Sequence, residues 1–526
     1  MLKRIAENSL LQILIITFVA ILNFLPTLQM FFYLDEWGAL YDFTHSEYKY
    51  YVFTTHIMYG LYRLFGTDPT GYFAIGIVVF TLSVILFYLL ASALFKNKML
   101  GFVAGLVYAT APIGITTATM VWTFVTEGGY PLTVALLLLL HLLFQYFRRR
   151  KVYYYLLVLI GFFIFLELEP RRVFIFLPIL ILFDYLVNFR ENFKVVFPKL
   201  GFFVRALSFF GVFIVYYKYN LTLSGIFATG RIVFNESATT YDGLAKFWLG
   251  VDTFTHIKPL VTMMNVLLGG PWVFLTGRIT EYIDPNDPAQ IYFLVFLVLS
   301  LAVTSVILIW KTSRDLGILA LLGLVWIYIN IFCIYVFSSP GISDTTHRTL
   351  SLAVPGYALF YTALGAALYR YLKNRKKLSK NLNNIFILAT FVFVGVNFLA
   401  TRYHFEQFNN FRSYASRAFF KDLKSYYPNF PANSLLYFQT PESPQIKYKL
   451  SRIYGGSPIG AGATIAIFYP ELKKEEIIVT RERADVEKFI EDDPDKIDKV
   501  FTFYFDEKGL SDQTQKFRSD LKQSTL

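Results

Sequence analysis

Apolar stretches about as long as a bilayer is thick recur along the whole sequence. A helix needs about 20 predominantly apolar residues to cross the hydrocarbon core, and only helices and closed barrels satisfy their backbone polar groups there. The candidate spans are 10–31, 71–95, 99–120, 127–147, 152–168, 173–189, 200–220, 289–310, 315–337, 349–370 and 382–401. This pattern predicts a mainly α protein, a polytopic membrane bundle of about 11 transmembrane helices.

The composition agrees with membrane insertion and excludes several other classes of protein. Of the 526 residues, 55% are hydrophobic and 16% are charged, whereas soluble domains carry about 25% charged residues. The net charge of +12 does not indicate a nucleic-acid partner, because Lys and Arg concentrate in short loops and no basic, aromatic-interleaved motif is present. Cys333 is the single cysteine, so a disulfide within the chain and a cysteine metal site are excluded.

Basic residues follow alternate spans, and this pattern predicts the orientation of the chain. The clusters lie on the same side as Lys3 and Arg4. Their members are Lys96, Lys98, Arg148, Arg149, Arg150, Lys151, Arg190, Lys194, Lys311, Arg314, Arg370, Lys373, Arg375, Lys376, Lys377 and Lys380. Because loops rich in Lys and Arg stay in the cytoplasm, we predict a cytoplasmic N-terminus in the cell membrane. The first stretch is interpreted as a retained helix rather than a signal peptide, because no small-residue cleavage site closes it.

The same counting of spans predicts a large outer loop. The piece 259–277 is apolar but is interrupted by Gly269, Gly270 and Pro271. Counting it as a span would place the later basic loops outside the cell. We therefore expect 221–288 to be one outer loop, in which this piece lies in the interface or re-enters the membrane. Residues 1–401, with outer loops 32–70 and 221–288, are predicted to form the transmembrane domain.

From residue 402 onward the sequence is polar and punctuated by Pro and Gly. Short strand-like runs and one helical pattern indicate a small α/β or α+β domain, which the count of spans places outside the membrane. The strands are expected at Leu435–Gln439, Thr464–Phe468, Ile477–Thr480 and Val500–Phe505, and the helix over 483–491. Residues 402–526 are thus predicted to be a soluble extracytoplasmic domain.

Two acidic sites lie next to span ends on the predicted outer side, where charges close to hydrocarbon are costly and often functional. Asp35 and Glu36 follow the first span, and a carboxylate beside a like charge has a raised pKa that suits a general base. Glu127 opens the fourth span. The alternative for the acidic pair is an ordinary solvated loop. The alternative for Glu127 is an acid that favours the helix dipole.

Arginines on the outer side run against the usual distribution of charge. Arg171 and Arg172 lie between the fifth and sixth spans, and Arg348, preceded by His347, comes before the tenth. The planar guanidinium suits a phosphate group. Pairing with nearby glutamates and anchoring at the interface are the alternatives. Transfer of a group from a lipid-linked phosphate donor to a hydroxyl needs a base, a phosphate-binding group and a nearby bilayer. These arginines and the acids together provide all three.

The order, side and spacing of these residues resemble the C-type glycosyltransferase superfamily, specifically its dolichyl-phosphate-mannose protein mannosyltransferase and aminoarabinose transferase group. The group has an acidic pair after the first span, an acid opening the fourth span, a basic residue beside proline between short fifth and sixth spans, and a late outer Arg. The matching residues are Asp35, Glu36, Glu127, Pro170, Arg171, Arg172 and Arg348 with Pro355. The resemblance covers roughly residues 1–400, and Ile57 departs from it where the family usually has proline.

The resemblance implies an enzyme that moves a sugar, with inversion, from a polyprenyl-phosphate donor to an acceptor hydroxyl on a protein, lipid or glycan. Asp35 is implied as the general base, while Glu36 and Glu127 would shape the acceptor site or orient the sugar. The residues expected at the donor phosphate are Arg171, Arg172, Arg348 and His347, and those expected at the acceptor or substrate are Trp37, Tyr41 and His56.

Other functions stay open at the level of the sequence. A transporter or flippase of lipid-linked saccharides would also need arginines, but the charges are one-sided and no inverted repeat is evident. An O-antigen ligase-like transferase would rely on Arg and His in a large outer loop, and a nonenzymatic scaffold would tolerate any change at Asp35. No phosphate-loop, dinucleotide or HExxH motif is present. We expect no cofactor, and a divalent cation at the acidic residues is the less favoured alternative.

Overall fold

Helices form most of the protein in the computed structural model. The structure describes residues 8–33, 36–45, 53–126, 128–166, 175–191, 200–223, 258–276, 288–338, 345–374, 381–454, 460–491 and 493–524. The α-helices there are Ser9–Phe24, Glu36–Thr44, Phe53–Phe65, Pro69–Phe95, Lys98–Thr110, Gly129–Arg149, Val152–Leu166, Phe176–Glu191, Leu200–Leu223, Lys258–Thr276, Pro288–Thr312, Arg314–Ser338, Val354–Asn374, Leu382–Phe408, Tyr414–Tyr426, Pro444–Tyr454, Ala461–Ala466, Arg483–Glu491 and Thr514–Ser524. Short 3-10 helices are Leu25–Gln29, Ile115–Thr119, Arg348–Ala353, Lys474–Glu476 and Pro494–Lys499, and π-helical turns are Trp122–Thr126 and Asn409–Ser413.

Within the described ranges, seven helical segments are long and apolar enough to cross a membrane. They are Ser9–Gln29, Pro69–Phe95, Trp122–Arg149, Tyr292–Thr312, Arg314–Tyr335, Arg348–Asn374 and Leu382–Tyr426. The other predicted spans overlap the shorter apolar helices Lys98–Thr110, Val152–Leu166, Phe176–Val187 and Leu200–Tyr216. The helix Lys98–Thr110 ends well before the predicted end of its span at residue 120, because the chain leaves the helical conformation at Ala111. The mainly helical, multi-pass architecture is confirmed, and the total of eleven spans stays a prediction.

Large apolar side chains on the outside of these helices form a surface suited to lipid. On Tyr292–Thr312, Phe293 and Phe296 are 65% and 71% exposed, and Phe18 on Ser9–Phe24 is 66% exposed. Soluble monomers rarely expose contiguous apolar surface on this scale. A bilayer is the environment that keeps such a surface away from water.

Small residues and a buried ion pair hold neighbouring helices together. Gly323 and Gly356 face each other across two helices, and a Cβ built on either would lie 2.5 or 2.6 Å from the carbonyl oxygen of the other. Small residues permit this close approach, which matters in lipid because hydrophobicity does not drive helices together there. Arg205 donates two N–H groups to the Asp184 carboxylate at 2.6 and 2.8 Å. Because both oxygens of this buried acid accept an N–H group, the charge is paired inside the bundle.

The piece predicted to lie in the interface or re-enter forms the helix Lys258–Thr276, which continues through its Gly-Gly-Pro sequence. The described side chains in its first half are largely buried. The hydroxyls of Thr262 and Tyr335 lie 2.7 Å apart, and Thr345 donates its hydroxyl to the Asn265 carbonyl at 3.0 Å. This half of the helix is therefore packed within the bundle, and how deeply it enters the membrane stays a prediction.

The last long helix extends past the predicted domain boundary at residue 401. Leu382–Phe408 passes through the π-helical turn Asn409–Ser413 into Tyr414–Tyr426 without a break. One continuous helix thus leads from the bundle into the C-terminal domain. Single π-helical turns inside helices are rare and frequently occur at functional sites.

The C-terminal domain contains a four-stranded sheet with β1 Ser434–Gln439, β2 Ile477–Thr480, β3 Val500–Asp506 and β4 Gly509–Asp512. The strand order is β2-β1-β3-β4, with β1 parallel to β2 and β3, and β3 antiparallel to β4. Three of the expected strands and the helix over 483–491 are confirmed, whereas β4 was not predicted. The predicted strand at Thr464–Phe468 is wrong, because this run overlaps the helix Ala461–Ala466, whose residues from Ala463 onward are buried consecutively and not alternately.

This domain packs against one end of the bundle, which we call the domain end. Arg417 donates to the backbone carbonyl oxygens of Leu28, Gln29 and Met30 at distances of 2.8 to 3.0 Å. These carbonyls belong to the end of the first span and the residue after it, where part of the backbone has no partner within the helix. Arg417 therefore fixes the connecting helix to the chain at the end of the first predicted span.

The described residues of the basic loops lie at the opposite end of the bundle. Arg370 follows the tenth predicted span, and it donates to the hydroxyl of Ser313, which follows the eighth, at 2.8 Å. Arg205 at the start of Leu200–Leu223 lies 5.4 Å from the ring of Phe147, near the end of the fourth span. These contacts agree with loops that alternate between two ends, as the prediction of orientation requires.

Candidate functional site

Glu36 begins the helix Glu36–Thr44 and is fully buried at the domain end. Its Oε2 accepts the N–H of Tyr33 at 2.8 Å, three residues earlier in the chain. Its Oε1 accepts the N–H of Trp122 at 3.0 Å, 86 residues further on. One carboxylate thus connects the segment after the first span to the turn that precedes Glu127 in the sequence.

Burial raises the pKa of Glu36 from its ordinary value of 4.5 to about 7, because removal from water disfavours the charged form. The N–H groups of Trp122 and Tyr33, and the positive charge of Arg412, oppose this rise. The carboxyl group therefore gains or loses its proton near neutral pH. Since both oxygens accept backbone N–H groups, the side chain fixes the position of the loop.

A glycine allows the turn 111–126 to pack against residues 345–353. Gly114 has a φ of +65°, a region in which L side chains are strained. It donates its N–H to the Thr345 carbonyl at 2.8 Å, and a Cβ at this position would lie 2.3 Å from the Ser351 nitrogen. The segment that precedes the fourth span and the segment that precedes the tenth span therefore form one packed unit.

Arg348 lies in this packed unit and is oriented towards the turn that contacts Glu36. Its Nη1 lies 3.3 Å from the sulfur of Met120, and its carbonyl accepts the hydroxyl of Thr117 at 2.7 Å. Met120 is two residues before Trp122, the backbone partner of Glu36. Arg348 and Glu36 are therefore held against neighbouring residues of a single turn, although 312 positions of sequence separate them.

Trp37 and Tyr41 lie where the helix Glu36–Thr44 meets the C-terminal domain. Trp37 is 2% exposed, and its ring lies 5.9 Å from that of Phe31 and 5.7 Å from that of Phe420. The Tyr41 hydroxyl accepts the N–H of Lys474 at 3.1 Å. Both residues therefore help to hold the domain in place, and acceptor binding by them stays a prediction.

The two predicted histidines have different surroundings. His347 precedes the short helix at Arg348–Ala353, and its Nδ1 lies 2.7 Å from the Thr349 hydroxyl. His56 is exposed on the helix Phe53–Phe65. Among the described residues, no group of three or more His, Cys, Asp or Glu side chains could hold a metal ion. The predicted site residues that lie outside the described ranges are Asp35, Glu127, Arg171 and Arg172.

Three residues that sequence reasoning missed meet beside Glu36: Tyr33, Arg412 and Arg452. The central carbon of the Arg412 guanidinium lies 4.1 Å from the centroid of the Tyr33 ring, and Arg412 Nη2 donates to the Thr119 carbonyl at 2.7 Å. Arg452 Nη1 donates to the Tyr33 hydroxyl at 2.8 Å. The C-terminal part of the chain therefore contributes two guanidinium groups to the region around Glu36.

A signal for Arg412 is present in the sequence. Phe405, Arg412, Ser416 and Phe419 follow one another at spacings typical of one face of a helix, and all four are buried. An arginine on such a face is unusual and indicates a specific partner inside the protein. Tyr33 and Arg452 show no comparable pattern.

Comparison with known proteins does not identify a family for the chain. No model of a known protein family matches the sequence. A search of curated proteins likewise finds no match. The function is therefore inferred from the residues of this chain and their arrangement.

Proposed function

We propose that the protein is a membrane glycosyltransferase that moves a sugar from a polyprenyl-phosphate donor to an acceptor hydroxyl on the extracytoplasmic side, with inversion. The supporting observation is that Glu36 and Arg348 are held against one turn, at the end of the bundle opposite the basic loops. Asp35 directly precedes Glu36 in the sequence. The proposal therefore has an acid of the first outer loop and an outer arginine at the same end of one helical bundle.

In the proposed reaction, Asp35 removes the proton from the acceptor hydroxyl as its oxygen attacks the anomeric carbon of the sugar. The bond between this carbon and the phosphate oxygen breaks, and the electron pair stays on the lipid phosphate. Arg348, with Arg171 and Arg172, stabilises the negative charge that grows on the phosphate. Positioned donors of this kind typically contribute about 10²–10³ in rate each.

Glu36 has a supporting role in this proposal. Its two oxygens accept the N–H groups of Tyr33 and Trp122. It therefore positions the backbone on either side of Asp35. The Trp122 contact extends this positioning to the turn that precedes Glu127, which would shape the acceptor site. The proposed reaction needs no metal ion, because the arginines neutralise the negative charge of the leaving phosphate.

The proposal also includes the orientation of the chain in the membrane and the source of its two substrates. The chain would cross the cell membrane eleven times, with its N-terminus in the cytoplasm and its C-terminal domain outside. The donor would come from the bilayer, and the acceptor would be a protein, a lipid or a glycan. A flippase would need charged sites in both halves of the membrane, and no described contact favours that function over transfer.

The test is sugar transfer by purified full-length protein supplied with a panel of polyprenyl-phosphate sugars. The Asp35→Asn variant should lose about 10²–10⁴-fold in rate, the usual contribution of a general base, while its melting temperature stays unchanged. Glu475→Gln, which alters an exposed acid of the C-terminal domain, is the matched control and should transfer sugar normally. Full turnover by Asp35→Asn, or consumption of no donor by the unaltered protein, would contradict the proposal.

A further inference from the structure

Two guanidinium groups converge on one tyrosine at the domain end. Arg412 stacks on the ring of Tyr33, and Arg452 donates to the hydroxyl of the same residue. The first arginine belongs to the helix that leads out of the bundle, and the second to the helix Pro444–Tyr454 of the C-terminal domain. The two positive charges are therefore brought together by the packing of the domain against the bundle.

Arg412 is poorly satisfied for a buried guanidinium. The side chain is 6% exposed. Its Nη2 donates to the Thr119 carbonyl, whereas its buried Nε has no hydrogen-bond partner among the described residues. Buried charges are normally paired and fully hydrogen-bonded. A group left in this state indicates a partner that is not part of the described chain.

The described carboxylates do not neutralise the pair of arginines. Within the described ranges, neither Arg412 nor Arg452 has an acidic partner within 4.0 Å. Glu36 attracts Arg412 through space, but its oxygens accept backbone N–H groups. Even when ionised, this single carboxylate balances only one of the two positive charges.

The rim of this region suits a ligand that arrives from the membrane. Arg452 is half-buried, and its Nη2 donates to the hydroxyl of Tyr448 at 2.7 Å. Tyr448 is 47% exposed and lies 5.7 Å from the ring of Phe411, which is 49% exposed. Exposed aromatic rings next to basic groups are typical of the membrane interface, where lipid headgroups lie. Lys447 adds an exposed positive charge on the same helix.

We infer that Arg412 and Arg452 bind a phosphate group beside Tyr33, so that the C-terminal domain completes an anion site at the domain end of the bundle. The planar guanidinium forms parallel hydrogen bonds to phosphate oxygens, and two such groups supply the charge that a phosphate monoester needs. The identification of this phosphate with the lipid phosphate that leaves the sugar donor depends on the proposed transferase function. The binding itself does not depend on it.

The experiment measures binding to the full-length protein in nanodiscs of neutral lipid, by titration calorimetry at low ionic strength. The probes are farnesyl phosphate and inorganic phosphate. Arg452→Gln should weaken the binding of farnesyl phosphate at least about tenfold, as expected for hydrogen bonds to a charged group. Arg412→Gln should do the same where it folds, and Arg452→Lys should retain part of the affinity. Arg483→Gln, which removes an exposed pair with Glu487, is the control and should bind as the unaltered protein does.

The outcomes separate the inference from the proposed function. Binding of farnesyl phosphate alone supports a lipid-borne phosphate, and equal binding of inorganic phosphate supports the site with a free phosphate as its ligand. If folded Arg452→Gln binds as tightly as the unaltered protein, or if the unaltered protein binds neither probe, the inference is overturned. If binding depends on the arginines but no sugar donor is consumed, the anion site stands and the transferase proposal fails.

Discussion

At the scale of single residues, Glu36 combines two properties that usually exclude each other. It is completely buried, and yet it lies among polar backbone groups that would stabilise its charge. Burial has the larger effect and raises its pKa to about 7. Because the Trp122 contact joins segments far apart in sequence, the protonation state of one side chain affects how firmly the first outer loop is held.

The pH dependence of stability tests this account of Glu36. Because its pKa is about 7 in the folded protein and 4.5 when exposed, the fold binds the proton more tightly than the unfolded chain does. This preference stabilises the fold fully below pH 4.5 and is lost as the pH rises through about 7, a change on the order of 3 kcal/mol. The melting temperature of the unaltered protein, relative to that of Glu36→Gln, should therefore fall between about pH 5 and pH 8.

The exposed acid Glu475 supplies the control for this measurement, because its side chain is 66% exposed. The difference between the unaltered protein and Glu475→Gln should stay constant over the same range of pH. If the melting temperatures of the unaltered protein and of Glu36→Gln change with pH in the same way, burial does not raise the pKa of Glu36.

The sequence identified Glu36 as a candidate for function but not its role. An acidic pair directly after a membrane span is visible in the sequence, because charges near hydrocarbon are rare. The partner of Glu36, the N–H of Trp122, belongs to the backbone and leaves no trace in the sequence. Tyr33 and Arg452 escape prediction for a related reason, since their contact depends on a domain docking that no local pattern encodes.

At the scale of elements, the short segments between spans are as well packed as the spans themselves. The turn 111–126 contains a 3-10 helix and a π-helical turn, and it contacts residues 345–353 through backbone hydrogen bonds. Hydropathy predicts the spans because their apolar length is a strong signal, but it is silent about these turns. The prediction of a strand at Thr464–Phe468 was wrong because a short apolar run fits a buried helix or a strand equally well, so that hydropathy does not distinguish them.

Substitution of Gly114 measures how much this packed turn contributes to stability. In Gly114→Ala the backbone would have to keep a φ of +65°, which costs about 1–2 kcal/mol for an L side chain. The new Cβ would also lie 2.3 Å from the Ser351 nitrogen, so the two segments must separate. The melting temperature should fall clearly, and fluorescence-detected size exclusion should show less monodisperse protein.

Gly365→Ala is the matched control for this substitution. Gly365 lies inside the helix Val354–Asn374, and a Cβ there would meet nothing within 4 Å. Alanine should be neutral or stabilise this helix by roughly 0.5–1 kcal/mol. Equal melting temperatures for the two alanine variants would mean that the contact between the turns is not needed for stability.

At the scale of the whole molecule, the two ends of the bundle differ in chemical character. One end carries the described residues of the basic loops, and the other carries the C-terminal domain together with Glu36, Arg348 and Arg412. The alternation of charge along the sequence predicts loops that alternate between two ends, because each loop supplies an independent indication. The proposed chemistry requires that the domain end face the outside of the cell, where the orientation rule places it.

Labelling of single cysteines tests this orientation directly. Two variants are made in a Cys333→Ala background, so that each carries a single thiol. Lys508→Cys introduces the thiol at an exposed position of the turn between β3 and β4. Lys151→Cys introduces it at an exposed position in the basic loop after Gly129–Arg149. A membrane-impermeant maleimide should label Lys508→Cys in intact cells, and Lys151→Cys only after the membrane is made permeable. Labelling of both in intact cells would contradict the alternation of the spans. If Lys151→Cys is labelled in intact cells and Lys508→Cys only after the membrane is made permeable, the C-terminal domain lies in the cytoplasm. The extracytoplasmic site on which the transfer reaction depends would then not exist.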